Sequence, residues 1–509
     1  MPFERTPLAN PGQPDQPHWG RIGRLALAAT AAATLSACAS FSGISFSAKP
    51  VDPATLGLHR EAAVSAPADP AEAAWWTRFQ DAQLDRLVAQ ALANSPSLRV
   101  AQTRLARMQA TQDLVAAADG PKVNADLNAT HQLYTANGMI PPPVAGHIYD
   151  SATLQASSSW ELDFFGKNAA ALEATVGQVH AAQADTLAAR QLLALNVTRS
   201  YFSLLRLQAQ LGVAHKALAL REQTRALVHD RVQAGLDTQL ELQQAESALP
   251  DARLQIAQLQ EQKALVLNAL AALTAQPVSG LALDLGPLPA LPDGAQLQAV
   301  PLDLLGRRMD ITAARWRIEA AVKDVDAAKA QFYPNINLTA FAGLSSLGFD
   351  KLFKSGSDQW GVGPAIRLPL FDGGRLRANL RSKTVDVDAA IEAYNAQVFE
   401  AVHEVADRLA SGQAIVQQQQ EQAATQAASE AALEIALARY QAGLGNFLQV
   451  LSAEAPVLAQ RRLAVDLSAR ALDTRVQLLH AVGGSAPQAG TATAAASTPN
   501  NPSMTKTTP

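Results

Sequence analysis

The chain has 509 residues, and its 41 Lys and Arg against 45 Asp and Glu leave a net charge of −4. So even a balance excludes a polybasic nucleic-acid binder, while the length leaves room for several elements of any class. Aromatic residues make up only 5%. Long Ala-, Leu- and Gln-rich stretches point to long helices that approach one another closely through small side chains.

At the amino terminus, Arg21 and Arg24 precede an apolar run from Leu25 to Leu35. That run is too short to span a bilayer but suits a signal-peptide core. It ends in Leu35, Ser36, Ala37 and Cys38, the only cysteine of the chain. This resembles a bacterial lipobox, so residues 1–37 are predicted to be a lipoprotein signal peptide. The same resemblance makes Cys38 the site of S-diacylglycerol and N-palmitoyl attachment. Ala39 stands where enteric inner-membrane lipoproteins carry an Asp retention signal. Residues 38–74 read as a tether, and the Ser-, Thr-, Ala- and Pro-rich stretch 484–509 as a disordered tail.

Between these ends one pattern occurs twice. Arg104 and Pro121 are answered by Arg317 and Pro334 at a common offset of 213, and Arg231 to Leu236 by Arg439 to Leu444 at 208. Leu162, Phe165 and Gly166 are answered by Leu368, Phe371 and Gly373. An internal duplication is expected, with a first repeat at 75–277, a linker at 278–301 and a second repeat at 302–483.

Each repeat reads as a helix, a pair of alternating strands, a long helix, a turn and another long helix. In 121–134, Val123, Ala125, Leu127, Ala129 and Leu133 alternate with polar residues, and 151–164 continues the pattern through Trp160, Leu162 and Phe164. The second repeat follows more loosely, with Ile336, Leu338 and Leu344, then Trp360, Val362, Ile366, Leu368 and Leu370. Runs of this length suit strands crossing a bilayer at about 9–11 residues each. A soluble sandwich would alternate in the same way. Four strands cannot close a transmembrane barrel, which starts at about eight, and open edges would leave backbone groups unsatisfied in lipid. Membrane-spanning strands therefore require several chains, and three chains sharing twelve strands is the smallest odd-symmetry solution.

Helices are predicted at 167–231 and 237–274, and again at 375–440 and 446–482, with Pro250 and Pro456 kinking the shorter partners. The longer ones reach roughly 100 Å at 1.5 Å per residue, a length suited to coiled-coil packing. The expected class is mainly α with transmembrane β: a long coiled-coil helical barrel plus four strands per chain in a shared twelve-stranded trimeric β-barrel.

Several motifs carry a family resemblance. Trp75 and Trp76 come first, then Asn94, Ser95 and Pro96, then Trp160 to Asp163. Phe165 and Gly166, Tyr333 and Pro334, Phe371 to Gly374 and the two Arg-x-x-x-Gly-Leu turns follow in order. The chain resembles the TolC family of outer-membrane efflux proteins, in its lipoprotein, NodT-type branch, over about residues 75–483. The resemblance implies a passive homotrimeric conduit of the cell outer membrane, its helical barrel in the periplasm, exporting small toxic molecules. It implies a periplasmic adaptor (membrane fusion protein) and an inner-membrane RND-type pump as partners. It also implies a small region built from the helix near 84–92, the 277–308 segment and the tail.

By the same resemblance, the turns at Ala234, Gly235 and Leu236 and at Ala442, Gly443 and Leu444 dock the adaptor. A periplasmic gate falls at Leu448 and Ser452, with Leu240 and Gln244 at the matching positions of the first repeat. There this chain lacks the acidic ring of many relatives, and the one nearby acid is Glu454. Leu240 and Leu448 could otherwise be ordinary residues of an interhelical core.

No catalytic, metal or cofactor constellation is readable. His403 and Glu404 open like a metalloprotease pattern, but Asp407 stands where the second His is needed. Asp163 and Asp372, at strand–helix junctions, are expected to cap helices. Alternative readings are a periplasmic adaptor, which would carry one hairpin rather than two, and a structural envelope lipoprotein.

Overall fold

The computed structural model describes residues 41–52, 74–290 and 307–483. The signal segment, Cys38, most of the tether, residues 291–306 and the tail at 484–509 lie outside the described residues. A 3-10 turn at Trp75–Phe79 leads to α1 (Ala82–Asn94) and α2 (Pro96–Ala116). The first strand pair, β1 (Lys122–Leu133) and β2 (Ile148–Leu162), is followed by α3 (Lys167–Gln233) and α4 (Gln239–Thr274). The order then recurs as α5 (Met309–Ala330), β3 (Asn335–Leu347), β4 (Asp358–Arg367), α6 (Arg375–Gln441) and α7 (Phe447–Ala481). Both α3 and α6 are 67 residues long.

Local chemistry sets these boundaries. Asp81 caps α1, accepting from the backbone N–H groups of Gln83 and Leu84. Ser95 is forced into an extended conformation before Pro96, which opens α2. Asp163 accepts from Ala169 N at 2.8 Å, and Asp372 from Gly374 N and Leu376 N at 2.9 and 2.8 Å. Both carboxylates therefore serve the first turns of the long helices. Those backbone N–H groups hold the Asp372 carboxyl below the usual carboxylate range, outweighing desolvation. Pro250 and Pro456 lie inside α4 and α7, and neither ends its helix.

The chain divides into two compact units. One comprises residues 41–49, 109–178 and 317–391 of the described chain and holds all four strands. They form one antiparallel sheet in the order β1-β2-β3-β4. Two expectations about strand ends are corrected. Strand β2 stops at Leu162, leaving Phe164 outside it, and β4 stops at Arg367, leaving Leu368 and Leu370 beyond it. The register explains both: β3 begins at Asn335, opposite Arg367, and its next residue, Ile336, stands opposite Leu162. Past those positions there is no partner strand, and Pro369 has no N–H to offer one. Next to the sheet, Leu376, Leu380, Val387 and Ile391 of α6 pack against Val325 of α5 and Phe332 just past its end. Gly177 lies so near α5 that a Cβ there would be 3.0 Å from Ala320 Cβ, which bears out the small-residue packing read from composition.

The second unit contains α1, α4, α7 and the parts of the other helices that lie outside the first. Its largest core joins Trp75, Trp76, Leu84 and Val88 to Val197, Phe202 and Leu205 of α3 and to Leu472, Val476 and Leu479 of α7. Leu281, Leu283, Leu285 and Leu288 of the irregular segment after α4 lie against the same cluster. Buried Arg308 donates to Asp310 and Glu404 at 2.9 Å and to the Ala481 carbonyl at 3.2 Å, tying α5, α6 and α7 together. Glu404, which follows His403, is thus engaged structurally. No described helix is long and apolar enough to cross a membrane.

Candidate functional site

Two surfaces distinguish this molecule from an ordinary helical protein. The first is the sheet. Residues opposite each other in an antiparallel ladder share a face, so the register sorts every side chain. On one face Leu127 stands beside Leu154, which stands beside Leu344; Trp160 stands beside Leu338, and Ile366 beside Ile336. On the other face Asp126 is opposite Gln155, Asn128 opposite Thr153, and Glu161 opposite Asn337. The alternation read strand by strand therefore lines up across all four. Val123, Leu127, Leu133, Trp360, Val362 and Ile366 stay exposed in the single chain. Edge strands β1 and β4 each have one unpaired side. Aromatic pairs bracket the sheet: Tyr134 with Tyr149 at one end, and Phe165 stacked on Tyr333 at 5.0 Å past the other.

The second surface is the pair of helical turns. After α3, Gly235 takes φ +74°, and after α6, Gly443 takes φ +72°. Leu236 N donates to Arg231 O and Leu444 N to Arg439 O, both at 2.8 Å, while the glycine N–H groups reach back to Val232 O and Tyr440 O at 3.0 Å. This paired bonding with a left-handed glycine is the Schellman way of ending a helix. Ala234, Leu236, Ala442 and Leu444 are exposed around it.

Charges join the turns. Arg231 forms an ion pair with Asp237 at 2.9 Å, lies 4.6 Å above the ring of Tyr440 and donates to the Tyr440 carbonyl at 3.1 Å. The Tyr440 hydroxyl donates to Asp237. Burial pushes the Asp237 carboxyl up, but the hydrogen bonds from Arg231 and Tyr440 outweigh it and hold the group below its ordinary value. Desolvation and the Asp237 charge both push the Tyr440 phenol up. Just beyond, Thr238 and Glu241 form a capping box for α4, whereas α7 is capped by Asn446 alone.

The gate candidates separate. Leu240 is 64% and Leu448 59% exposed in the chain, so neither is a core residue within it. The core beneath the turns is made instead by Leu242, Ala245, Phe447 and Val450. Gln244 is half-buried, and exposed Ser452 donates to the Leu448 carbonyl at 2.7 Å. Glu454 is turned inward: it is 4% exposed and paired with Arg221 at 2.7 Å. Asp237 and Arg221 escaped the sequence reading. The signal for Asp237 was present, because Gly445 occupies its place in the otherwise matching second turn. No cluster of His, Cys, Asp and Glu able to hold a metal ion occurs among the described residues.

Known proteins are similar to this chain in sequence and fold. The family described as "Outer membrane efflux protein" matches residues 87–276 and 300–484. The multidrug resistance outer membrane protein MdtQ of Escherichia coli O157:H7 is 33% identical over 421 residues, covering 81% of this chain and 87% of MdtQ. The fusaric acid resistance protein FusA of Burkholderia cepacia is 37% identical over 317 residues, 62% of this chain and 60% of FusA. Among solved structures, the outer membrane protein VceC of Vibrio cholerae superposes with a TM-score of 0.76 at 37% identity, covering 82% of this chain and 99% of VceC. The family is one of efflux channels and not of enzymes. With its long helical hairpins and four-stranded sheet, this chain belongs to the outer membrane efflux protein family and is an efflux channel protein of the outer membrane.

Proposed function

We propose that the chain is the outer-membrane subunit of a tripartite efflux system, working as a lipid-anchored homotrimer with a periplasmic adaptor and an RND-type inner-membrane pump. The observation that carries this reading is the open sheet: one largely apolar face, one largely polar face, and two unpaired edges. A single copy set in lipid would leave two rows of backbone groups without partners, each costing several kcal/mol by the order of roughly 2–7 per group. Three copies joined β4 to β1 close twelve strands, with the apolar face toward lipid and the polar face around water. The flanking aromatic pairs suit the two membrane interfaces.

Lipid attachment at Cys38 is supported by the strap that follows it. Phe41 packs edge-on against Phe332, with ring centroids 5.7 Å apart, just before β3 begins. Ser47 N and Ala48 N both donate to Asp388 of α6 at 2.7 Å. Three residues reach at most about 11 Å, which suits acyl chains inserted beside the strand bases. The turns at Gly235 and Gly443 are the proposed adaptor contacts, and Leu240, Gln244, Leu448 and Ser452 the proposed gate. The names of MdtQ and FusA favour small toxic organic molecules as cargo. No other cofactor enters this reading.

The test is electrophoresis of chain extracted from outer membranes, with and without heating. A species three times the monomer mass, dissociated by heat, is expected; a chain that is monomeric in every mild detergent sinks the shared barrel. Cys38→Ser is expected to block acyl labelling and leave the unprocessed precursor, and normal labelling of that variant removes the anchor.

A further inference from the structure

We infer that a groove of about 940 Å³ between α3, α4 and α7 is a binding site for a small organic anion with a flat apolar body, such as an aromatic carboxylate. Calling that anion cargo in transit rests on the conduit reading above; the binding itself does not. The volume falls in the range of about 300–1,000 Å³ typical of small-molecule sites.

The two walls differ in chemistry. Helix α3 turns its apolar residues toward the core around Trp75, while Asn196, Arg199, Ser200, Ser203 and Arg206 form the less buried stripe that lines the groove. Their spacing of three and four residues puts them on one helical face. Small and apolar residues, Val266, Ala269, Ala272 and Leu273, form the α4 side. Across from them α7 presents Asp466, Arg470 and Asp473.

The charges do not cancel. Arg199 holds Asp473 with two bonds, at 2.6 and 3.3 Å. Arg206 holds Asp466 at 3.1 Å, and the same carboxylate accepts from Gln210 at 2.6 Å. Among the described residues Arg470 is given no carboxylate; its bond is to the side-chain carbonyl of Gln418 at a long 3.4 Å. Three guanidinium groups thus face two carboxylates, and the surplus one is solvent-exposed at the groove. A carboxylate offered to Arg470 replaces a long amide contact with a charge-assisted pair. Its apolar body is then free to lie on the alanine and leucine wall. A cation meets no unengaged acid there, so the site discriminates by sign.

The probes are 2-naphthoate and its neutral isostere 2-naphthamide, titrated into the purified full chain in detergent. Saturable binding of naphthoate, about tenfold tighter than of the amide, is expected for one charge-assisted pair. Arg470→Gln should remove that preference and Arg470→Lys retain most of it. Ala272→Phe, which fills the groove from the apolar wall, should weaken both probes. Equal binding of the two probes by the unaltered chain, or a preference that survives Arg470→Gln, overturns the site. Unheated electrophoresis of the same samples separates the two readings. Charge-selective binding to a chain that forms no trimer keeps the groove and sinks the conduit, and a trimer blind to the charge does the reverse.

Discussion

The two helical turns share a backbone and differ in their chemistry. Both end a 67-residue helix on a left-handed glycine, with the same pair of backbone bonds at the same lengths. Yet only the first turn carries an acid, Asp237, and that acid gathers Arg231 from its own hairpin and Tyr440 from the other. The second turn offers Gly445 and Asn446 instead. Duplication thus preserved the hydrogen-bonded geometry that any such turn needs. The contact that holds one hairpin to the other depends on a residue present in one copy only.

The largest effect is expected where the copies are alike. Gly235→Trp and Gly443→Trp each force a bulky side chain into positive φ at about 1–2 kcal/mol, small against the helices behind them. Both should abolish efflux, measured as drug accumulation in cells, while unheated gels still show trimers. If either variant exports normally, that turn is not an adaptor contact.

Next comes the gate, where exposed Leu448 and Leu240 offer seals without charge. Leu448→Ser combined with Ser452→Gly should raise the resting conductance of the reconstituted protein in planar bilayers. The resulting leak should show weak cation selectivity, because Glu454 is occupied by Arg221. Unchanged conductance with an intact trimer excludes Leu448 from the seal. The same experiment on Leu240 shows whether one hairpin or both close the tube.

Smallest, and most specific to the difference between the turns, is the fastening itself. Asp237→Ala leaves Arg231 and the Tyr440 hydroxyl without their partner, at about 1.5–3 kcal/mol for bonds to a charged group. Asn446→Ala removes only a helix cap, at about 1 kcal/mol. Denaturant midpoints, or hydrogen exchange at the turns, should rank them in that order. pH separates them further. The Asp237 carboxyl lies below its unfolded value of 3.8, so its contribution is complete above that pH and is lost as pH falls through the folded value. Protection of the Asp237 turn should therefore drop in acid, and Asp237→Ala should reduce that drop to the part carried by the Glu241 capping box, whose carboxyl the Thr238 hydrogen bonds also hold below its ordinary value. An acid response confined to the Asn446 turn contradicts the assignment.

Much of this was readable without coordinates. The offset repeats gave the order of elements, the alternation gave the strands, and the proline-free runs gave helices within two or three residues of their observed ends. Periodicity and glycine placement act over a few residues, so they are written locally: Gly235 and Gly443 mark their turns, and Asp163 and Asp372 mark the helix starts. Alternation overruns the strand ends at Phe164, Leu368 and Leu370 because an apolar residue continues an alternating pattern whether or not a neighbour is there to bond it. Where a strand stops depends on where its partner begins, and that partner lies far along the chain: Leu162 ends against Ile336, and Arg367 against Asn335.

The same distance separates what sequence fixes from what packing decides at the functional surfaces. Sequence alone determined that two hairpins end in equivalent turns and that one face of each strand is apolar. Only the tertiary structure decided that Tyr440 meets Asp237, that Glu454 turns inward to Arg221, and that Arg470 meets the amide of Gln418. A side chain's charge is local information, but its partner is chosen by which helices pack together, and no residue states that by itself.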